Sequence, residues 1–171
     1  YKLVLRSQPS SSYMARWFNT AGPCKADIHY MLSPMGRLPQ LQRVIDQQGY
    51  FVLHAPRQTG KTTAMLSLAK SLTDSGQYAA IMVSVEVGAA FSGNPDAAEL
   101  AILDAWRGAA QFRLPADLQP PTWPEASPGR RIGAALRAWA QHSPRPLVIF
   151  IDEIDSLQDE VLLSVLRQLR D

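Results

Sequence analysis

The sequence predicts an α/β fold in three layers, with helices on both faces of a mainly parallel sheet. Three observations carry this. Leu147-Val148-Ile149-Phe150-Ile151 is an unbroken apolar run that fits a strand buried on both faces, as parallel sheets require. Ala79-Ala80-Ile81-Met82-Val83-Ser84-Val85 has the same character. Around and between these runs, apolar residues recur at helical spacing, so that strands and helices alternate along the chain.

The elements follow in order. Residues 1–27 carry serine, proline and glycine with scattered aromatics (Tyr13, Trp17, Phe18) and read as an irregular arm. Leu38 to Gln48 reads as a helix, with Pro39 in its first turn, Leu41, Val44 and Ile45 on one face, and Gly49 at its end. Tyr50-Phe51-Val52-Leu53 is a short apolar run expected to form a strand. His54 is expected to pack at that strand's end. Ala64, Met65, Leu68, Ala69 and Leu72 mark the next helix, stopped by Thr73-Asp74-Ser75-Gly76.

After the Ala79–Val85 strand, Asn94-Pro95 supplies an N-cap and first-turn proline for a helix running to about Phe112. Its inner face would be Ile102, Leu103, Trp106 and Ala110. Prolines 115, 120, 121, 124 and 128 make residues 114–128 an extended surface loop. Ser127-Pro128 then opens a helix carrying Ile132, Ala135, Leu136 and Trp139 inward. Arg130 and Arg131 in its first turn oppose the helix dipole, which leaves room for an anion contact. The last helix is marked by Val161, Leu162, Val165, Leu166 and Leu169, with Arg167 and Arg170 as surface charges near its end.

Composition sets the outer bounds. At 171 residues, with 46% hydrophobic and 19% charged residues, one soluble globular domain is expected. A net charge of +2 neither supports nor excludes a nucleic-acid partner. Cys24 is the only cysteine, so an internal disulfide or a cysteine-rich metal site is ruled out. No apolar run is long enough for a membrane span and no signal peptide is evident, so a cytoplasmic location is expected.

Two segments carry the chemistry. Ala55-Pro56-Arg57-Gln58-Thr59-Gly60-Lys61-Thr62 fits the phosphate-loop pattern, except that the pattern's first glycine is Ala55. Such a loop lies between a strand and a helix N-terminus, where backbone N–H groups and the helix dipole both favour an anion. Ala55 through Thr62, with Thr63, are the candidate phosphate-binding residues. In that pattern the lysine, here Lys61, reaches the β and γ phosphates, and the hydroxyl of Thr62 ligates Mg²⁺. The second segment is the Leu147–Ile151 strand with Asp152 and Glu153 at its carboxyl end, where open α/β sheets place their ligands. Asp152 is the candidate metal ligand, largely through water. Glu153 is the candidate general base that polarises water for attack on the γ-phosphate. The plain alternative is that the two acids only begin the next turn.

Phe150-Ile151-Asp152-Glu153-Ile154-Asp155 resembles the Walker B region of AAA+ ATPases, and Ala55 to Thr62 resembles their Walker A loop. The resemblance implies a P-loop NTPase core over residues 28–171 that binds ATP and Mg²⁺ and hydrolyses ATP, with Lys61 and Glu153 catalytic. Arg57-Gln58-x-Gly60-Lys61 also looks like the loop of AAA-like proteins allied to STAND signalling ATPases. GTPases match poorly, because Asp152-Glu153-Ile154-Asp155 has no glycine where their Asp-x-x-Gly needs one. The family normally continues with a sensor strand, an arginine finger and a helical lid, none of which precedes Asp171. That, with Tyr1 as first residue, leads to the expectation of an incomplete core from a longer polypeptide, with Met14 a candidate start. Residues 28–37 would border the adenine, and the final helix could face a neighbouring subunit. Self-association or other protein partners are implied by the family. The output of turnover stays open among mechanical work, a slow regulatory switch of the STAND type, and DNA loading of the origin-recognition type. A small-molecule kinase is the weakest reading, since paired acids suit water as acceptor.

Overall fold

The computed structural model describes residues 17, 28–30, 39–54 and 59–170. Among the described residues, five helices and two strands build the frame: α1 (Pro39–Asp46), α2 (Lys61–Asp74), β1 (Ala79–Ser84), α3 (Pro95–Arg113), α4 (Arg131–His142), β2 (Leu147–Asp152) and α5 (Asp159–Arg170). Short 3₁₀ turns occupy Glu86–Phe91, Ala116–Leu118 and Ile154–Ser156.

β1 and β2 are parallel, in register from Ala79 opposite Leu147 to Ser84 opposite Asp152. Alternation along β1 sorts its side chains between two cores. Ala79, Ile81 and Val83 face α3, α4 and α5, among Ile102, Trp106, Ile132, Trp139, Val161 and Val165. Ala80 and Met82 face α1 and α2, among Leu41, Ile45, Leu68, Ala69 and Leu72, joined by Phe150 from β2. The result is the three-layer arrangement, helices over sheet over helices.

The outer edge of β1 is sealed by side chains. The Thr73 hydroxyl both donates to the Ala80 carbonyl (2.9 Å) and accepts from the Ala80 amide (3.0 Å). Two residues on, Arg113 donates to the Met82 carbonyl (2.6 Å), and the Trp106 indole donates to the Ser84 carbonyl (2.9 Å). Polar groups that would otherwise invite another strand are thus satisfied within the domain.

Most helix boundaries agree with the sequence. The Asn94 side chain accepts from the Ala97 amide at 3.1 Å and caps α3, with Pro95 in the first turn. Gly76 adopts φ +78° just beyond α2, the left-handed conformation that ends the helix. Trp106 and Trp139 are core residues, 1% and 0% exposed.

Five expectations are corrected. Tyr50–Leu53 joins no ladder: a strand exists only through a hydrogen-bonded partner, and among the described residues β2 has one on the β1 side alone. Phe51 instead packs as a side chain beside Phe150, ring centroids 6.3 Å apart, and His54 is exposed rather than packed. The proline-rich loop is not simply a surface excursion. Leu118 is buried, the Trp123 indole donates to the Leu103 carbonyl (3.1 Å), and the Trp139 indole donates to that of Leu118 (3.0 Å). Leu166 lies on the outer face of α5, because Val161, Val165 and Gln168 define the buried face and position 166 falls away from it. Finally, Ser127-Pro128 precedes a turn with Gly129 at φ +80°, and α4 begins only at Arg131.

Trp17 and His29 form an isolated parallel bridge with edge-on rings 5.5 Å apart. The rest of the arm, including Cys24, and most of the proposed adenine-bordering segment lie outside the described residues. Among the described residues, no helix is long and apolar enough to cross a membrane.

Candidate functional site

The carboxyl end of β2 and the first turn of α2 meet. Asp152 closes β2, where its carbonyl accepts from the Val85 amide at 3.3 Å, so the strand end is held by β1. The Asp152 side chain is fixed at both oxygens. Oδ2 accepts from the Thr62 hydroxyl (2.8 Å), and Oδ1 accepts from the Glu153 amide (3.0 Å). Thr62 and Asp152 are 90 positions apart in sequence, yet both are half-buried in this one contact.

Gly60 precedes α2 with φ +85° and ψ +19°, and its carbonyl accepts from the Ala64 amide at 2.9 Å. A Cβ there would meet nothing within 4 Å, so glycine is required by the left-handed backbone and not by crowding from the protein itself. α2 has no side-chain cap and no acidic residue in its first turn. Its N-terminus therefore keeps its dipole available to an anion. Lys61 and Thr63 flank Thr62 in that turn, and Thr59 stands just ahead of Gly60. Ala55, Pro56, Arg57 and Gln58, the first half of the expected loop, lie outside the described residues.

Glu153 is exposed and adopts φ +59°, ψ +29°. A non-glycine residue held in the left-handed region costs about 1–2 kcal/mol relative to ordinary backbone. The carbonyl of Glu153 is braced by Ser156, whose amide donates at 3.0 Å and whose hydroxyl donates at 2.7 Å. Ser156 was not singled out from the sequence; a serine three residues after a strand-end acid is a local turn signal that could have found it. Asp155 is exposed in the intervening 3₁₀ turn, and the bracing of Glu153 is done by Ser156.

Chemically, the arrangement places a hydroxyl and a carboxylate side by side at a helix N-terminus. Both are hard oxygen donors, the type Mg²⁺ takes, and a Mg²⁺ bound with phosphates needs only one or two protein ligands. Among the described residues no group of three or more His, Cys, Asp or Glu could form an all-protein metal cage. The donor set therefore fits a phosphate-bound cation.

Residues 51–170 match the family model described as "ATPase family associated with various cellular activities (AAA)". The chain belongs to the AAA family. No curated protein and no solved structure matches it. Membership agrees with the α/β layering and parallel strands, and it supports nucleotide-dependent ATPase activity in general terms. The AAA match spans both halves of the site, from the segment before Gly60 through the helix after Glu153.

A second buried polar cluster lies on the opposite face, and the sequence reading missed it. Glu99, on the inner face of α3, is 0% exposed. Its Oε1 accepts from the Gly129 amide (3.0 Å), the Ser164 hydroxyl (2.7 Å) and the Gln168 amide group (2.8 Å). Oε2 accepts from the amides of Gly129 (3.1 Å) and Arg131 (3.3 Å). α4 has no side-chain cap of its own residue at Arg130, so the Glu99 carboxylate serves its N-terminus from another helix. The room for an anion at this N-terminus is thus taken by a carboxylate of the chain itself, while the Arg131 side chain pairs with Asp96. The signal was present: Glu99 falls at helical spacing among Ala98, Ile102 and Leu103.

Proposed function

We propose that this AAA domain binds ATP with Mg²⁺ at the α2 N-terminus and hydrolyses its terminal phosphoanhydride. The observation that carries this reading is the Thr62–Asp152 hydrogen bond of 2.8 Å, which joins the two motifs in one place. In this reading Ala55 to Thr63 wrap the phosphates, Lys61 neutralises the β and γ oxygens, and Thr62 and Asp152 hold the cation. Glu153 orients and deprotonates the attacking water. Mg²⁺, when bound, neutralises charge developing on the phosphates. A cytoplasmic setting belongs to the same proposal.

Calorimetry with Mg·ATP tests it. Wild type should bind; Lys61→Ala should lose tight binding. Glu153→Gln should bind as wild type does and lose most hydrolysis. Equal turnover in wild type and Glu153→Gln would remove Glu153 from the chemistry, and unchanged binding by Lys61→Ala would remove the loop.

A second reading, a slow nucleotide-dependent switch, is favoured by one observation. Glu153 sits in the left-handed region, secured there by Asp152 and Ser156. If that turn must rearrange before water is activated, turnover is slow and bound nucleotide survives purification. Nucleotide content of the purified protein, set against its single-turnover rate, separates a switch from a working motor.

A further inference from the structure

Both backbone polar groups of Glu153 are tied down. Its amide donates to Asp152 Oδ1 at 3.0 Å. Its carbonyl oxygen accepts twice from Ser156, from the amide at 3.0 Å and from the hydroxyl at 2.7 Å. A carbonyl oxygen has two lone pairs, so both are engaged. The amide contact restrains φ and the carbonyl contacts restrain ψ, which together hold Glu153 at φ +59°, ψ +29°. Glu153 is exposed, and its side chain is the part left to act.

The two ends of this clamp are themselves anchored. Asp152 accepts from the Thr62 hydroxyl (2.8 Å), and its carbonyl accepts from the Val85 amide (3.3 Å). At the other end Leu157, next to Ser156, is buried in the core, where a Cβ on Gly88 would stand 3.0 Å from its Cδ2. Closing the 3₁₀ turn needs only the Ser156 amide, which any residue but proline supplies. The hydroxyl makes a second bond to the same oxygen, and that bond is what serine adds. Ser156 is half-buried, so water competes for the bond only in part. In an extended strand Glu153 would take the sheet face opposite Asp152, and the left-handed turn ends that alternation. A glutamate does not keep such a backbone unaided.

We infer that Ser156 is a positioning residue for hydrolysis, its hydroxyl holding Glu153 in the left-handed turn from which the carboxylate meets the attacking water. This rests on the reading of Glu153 as general base and adds to it the residue that sets its place. Ser156 is not among the residues proposed to meet phosphate or cation, so its loss acts on the chemical step and leaves binding alone. One such hydrogen bond changes the population of the conformer it holds by about two- to tenfold. A catalytic group out of place by about 1 Å costs at least as much.

Two measurements on the whole chain test it. The first sets the single-turnover rate against Mg·ATP affinity from calorimetry. Ser156→Ala should hydrolyse about three- to tenfold more slowly, with affinity within about twofold of wild type. Ser156→Thr, which returns the hydroxyl, should recover the rate. The second needs no nucleotide. Glu153→Gly suits the left-handed backbone and should raise the melting temperature by about 2–4 °C in the wild-type background. In Ser156→Ala, where the glutamate is no longer held in that turn, the gain should be less than half as large. Loss of turnover in Glu153→Gln together with an unchanged or faster rate in Ser156→Ala overturns the inference alone. So does a Ser156→Ala variant that loses affinity, a Ser156→Thr variant as slow as Ser156→Ala, or an equal melting gain in both backgrounds. Full turnover in Glu153→Gln overturns the reading of Glu153 itself, and the inference falls with it.

Discussion

Replacing Glu99 by alanine should be among the most damaging single changes outside the proposed ATP site, and the structure says by how much. The carboxylate is fully buried and serves donors from three places: the Gly129–Arg131 backbone, Ser164 and Gln168. Not all are orphaned by its removal. Gln168 keeps bonds to the Ser164 carbonyl (3.3 Å) and hydroxyl (3.2 Å), so those two side chains can satisfy each other. The amides of Gly129 and Arg131, one on an exposed and one on a half-buried residue, have no such protein substitute at the α4 N-terminus, and each left without a partner costs up to about 1–3 kcal/mol. Loss of a favourable charge at the helix N-terminus adds about 0.3–1 kcal/mol. The sum is about 2–7 kcal/mol, a large part of the roughly 5–15 kcal/mol that holds a domain folded. Glu99→Gln keeps the shape and one acceptor but turns an NH₂ toward donors, for an expected loss of about 1–3 kcal/mol. Urea denaturation of the three proteins measures both. A loss under about 1 kcal/mol for Glu99→Ala, or a Gln variant weaker than the Ala variant, would refute the reasoning.

Three further outcomes are expected. Thr73→Val should cost about 1–3 kcal/mol by unsealing both polar groups of Ala80, with Thr73→Ser near neutral; a valine variant as stable as wild type in urea would contradict the edge seal. Gly88→Ala should cost about 1–3 kcal/mol, because its new Cβ would stand 2.8 Å from Ile102 Cδ1 and 3.0 Å from Leu157 Cδ2 in a packed core; thermal melts that superimpose on wild type would exclude this. The hydrogen bond from Tyr78 (2.7 Å), helped by that from Gln42, holds the Asp46 carboxyl below its ordinary 3.8, and the same bond to Asp46 holds the Tyr78 hydroxyl above its ordinary 10.0. The Asp46 contribution is present above 3.8 and lost as pH falls through the lowered value, while that of Tyr78 is present below 10.0 and lost as pH rises through the raised one. Tyr78→Phe should therefore lower the melting temperature between these limits and converge with wild type outside them; an offset independent of pH would exclude the linkage.

The parts legible in the sequence are those where one residue class answers one local demand. Leu147–Ile151 has no polar residue to place on a solvent face, so it reads as a strand covered on both faces, and it forms β2. Gly60 and the Thr62–Asp152 pair were readable because phosphate-loop chemistry fixes residue types at fixed offsets. What was not legible depends on partners distant in sequence. Glu99 reads as one more helical charge until Gly129, Ser164 and Gln168 are brought around it. Leu118 and Trp123 sit in a segment whose prolines announce a loop, and only Trp139 and α3 turn that loop inward. Leu166 belongs to an apolar set too broad for one face, and packing decided which members went inside.

The two strands also differ in a way that bears on the site. β1 is buried along its first five residues, and its outer edge is closed by Thr73, Arg113 and Trp106. β2 is the more apolar strand, yet all of its residues but Phe150 are only half-buried. Burial of a strand requires cover on both faces and a neighbour on both edges, and β2 lacks the second neighbour among the described residues. The sheet can therefore be extended only on the side of β2. That side is where Phe51 already leans on Phe150, with Tyr50 and Val52 exposed beside it. The segment before Gly60 is extended in sequence character but joins no ladder among the described residues, while the backbone of Asp152 is held from the β1 side by the Val85 amide. The fixed part of the site is thus the Asp152–Thr62 contact.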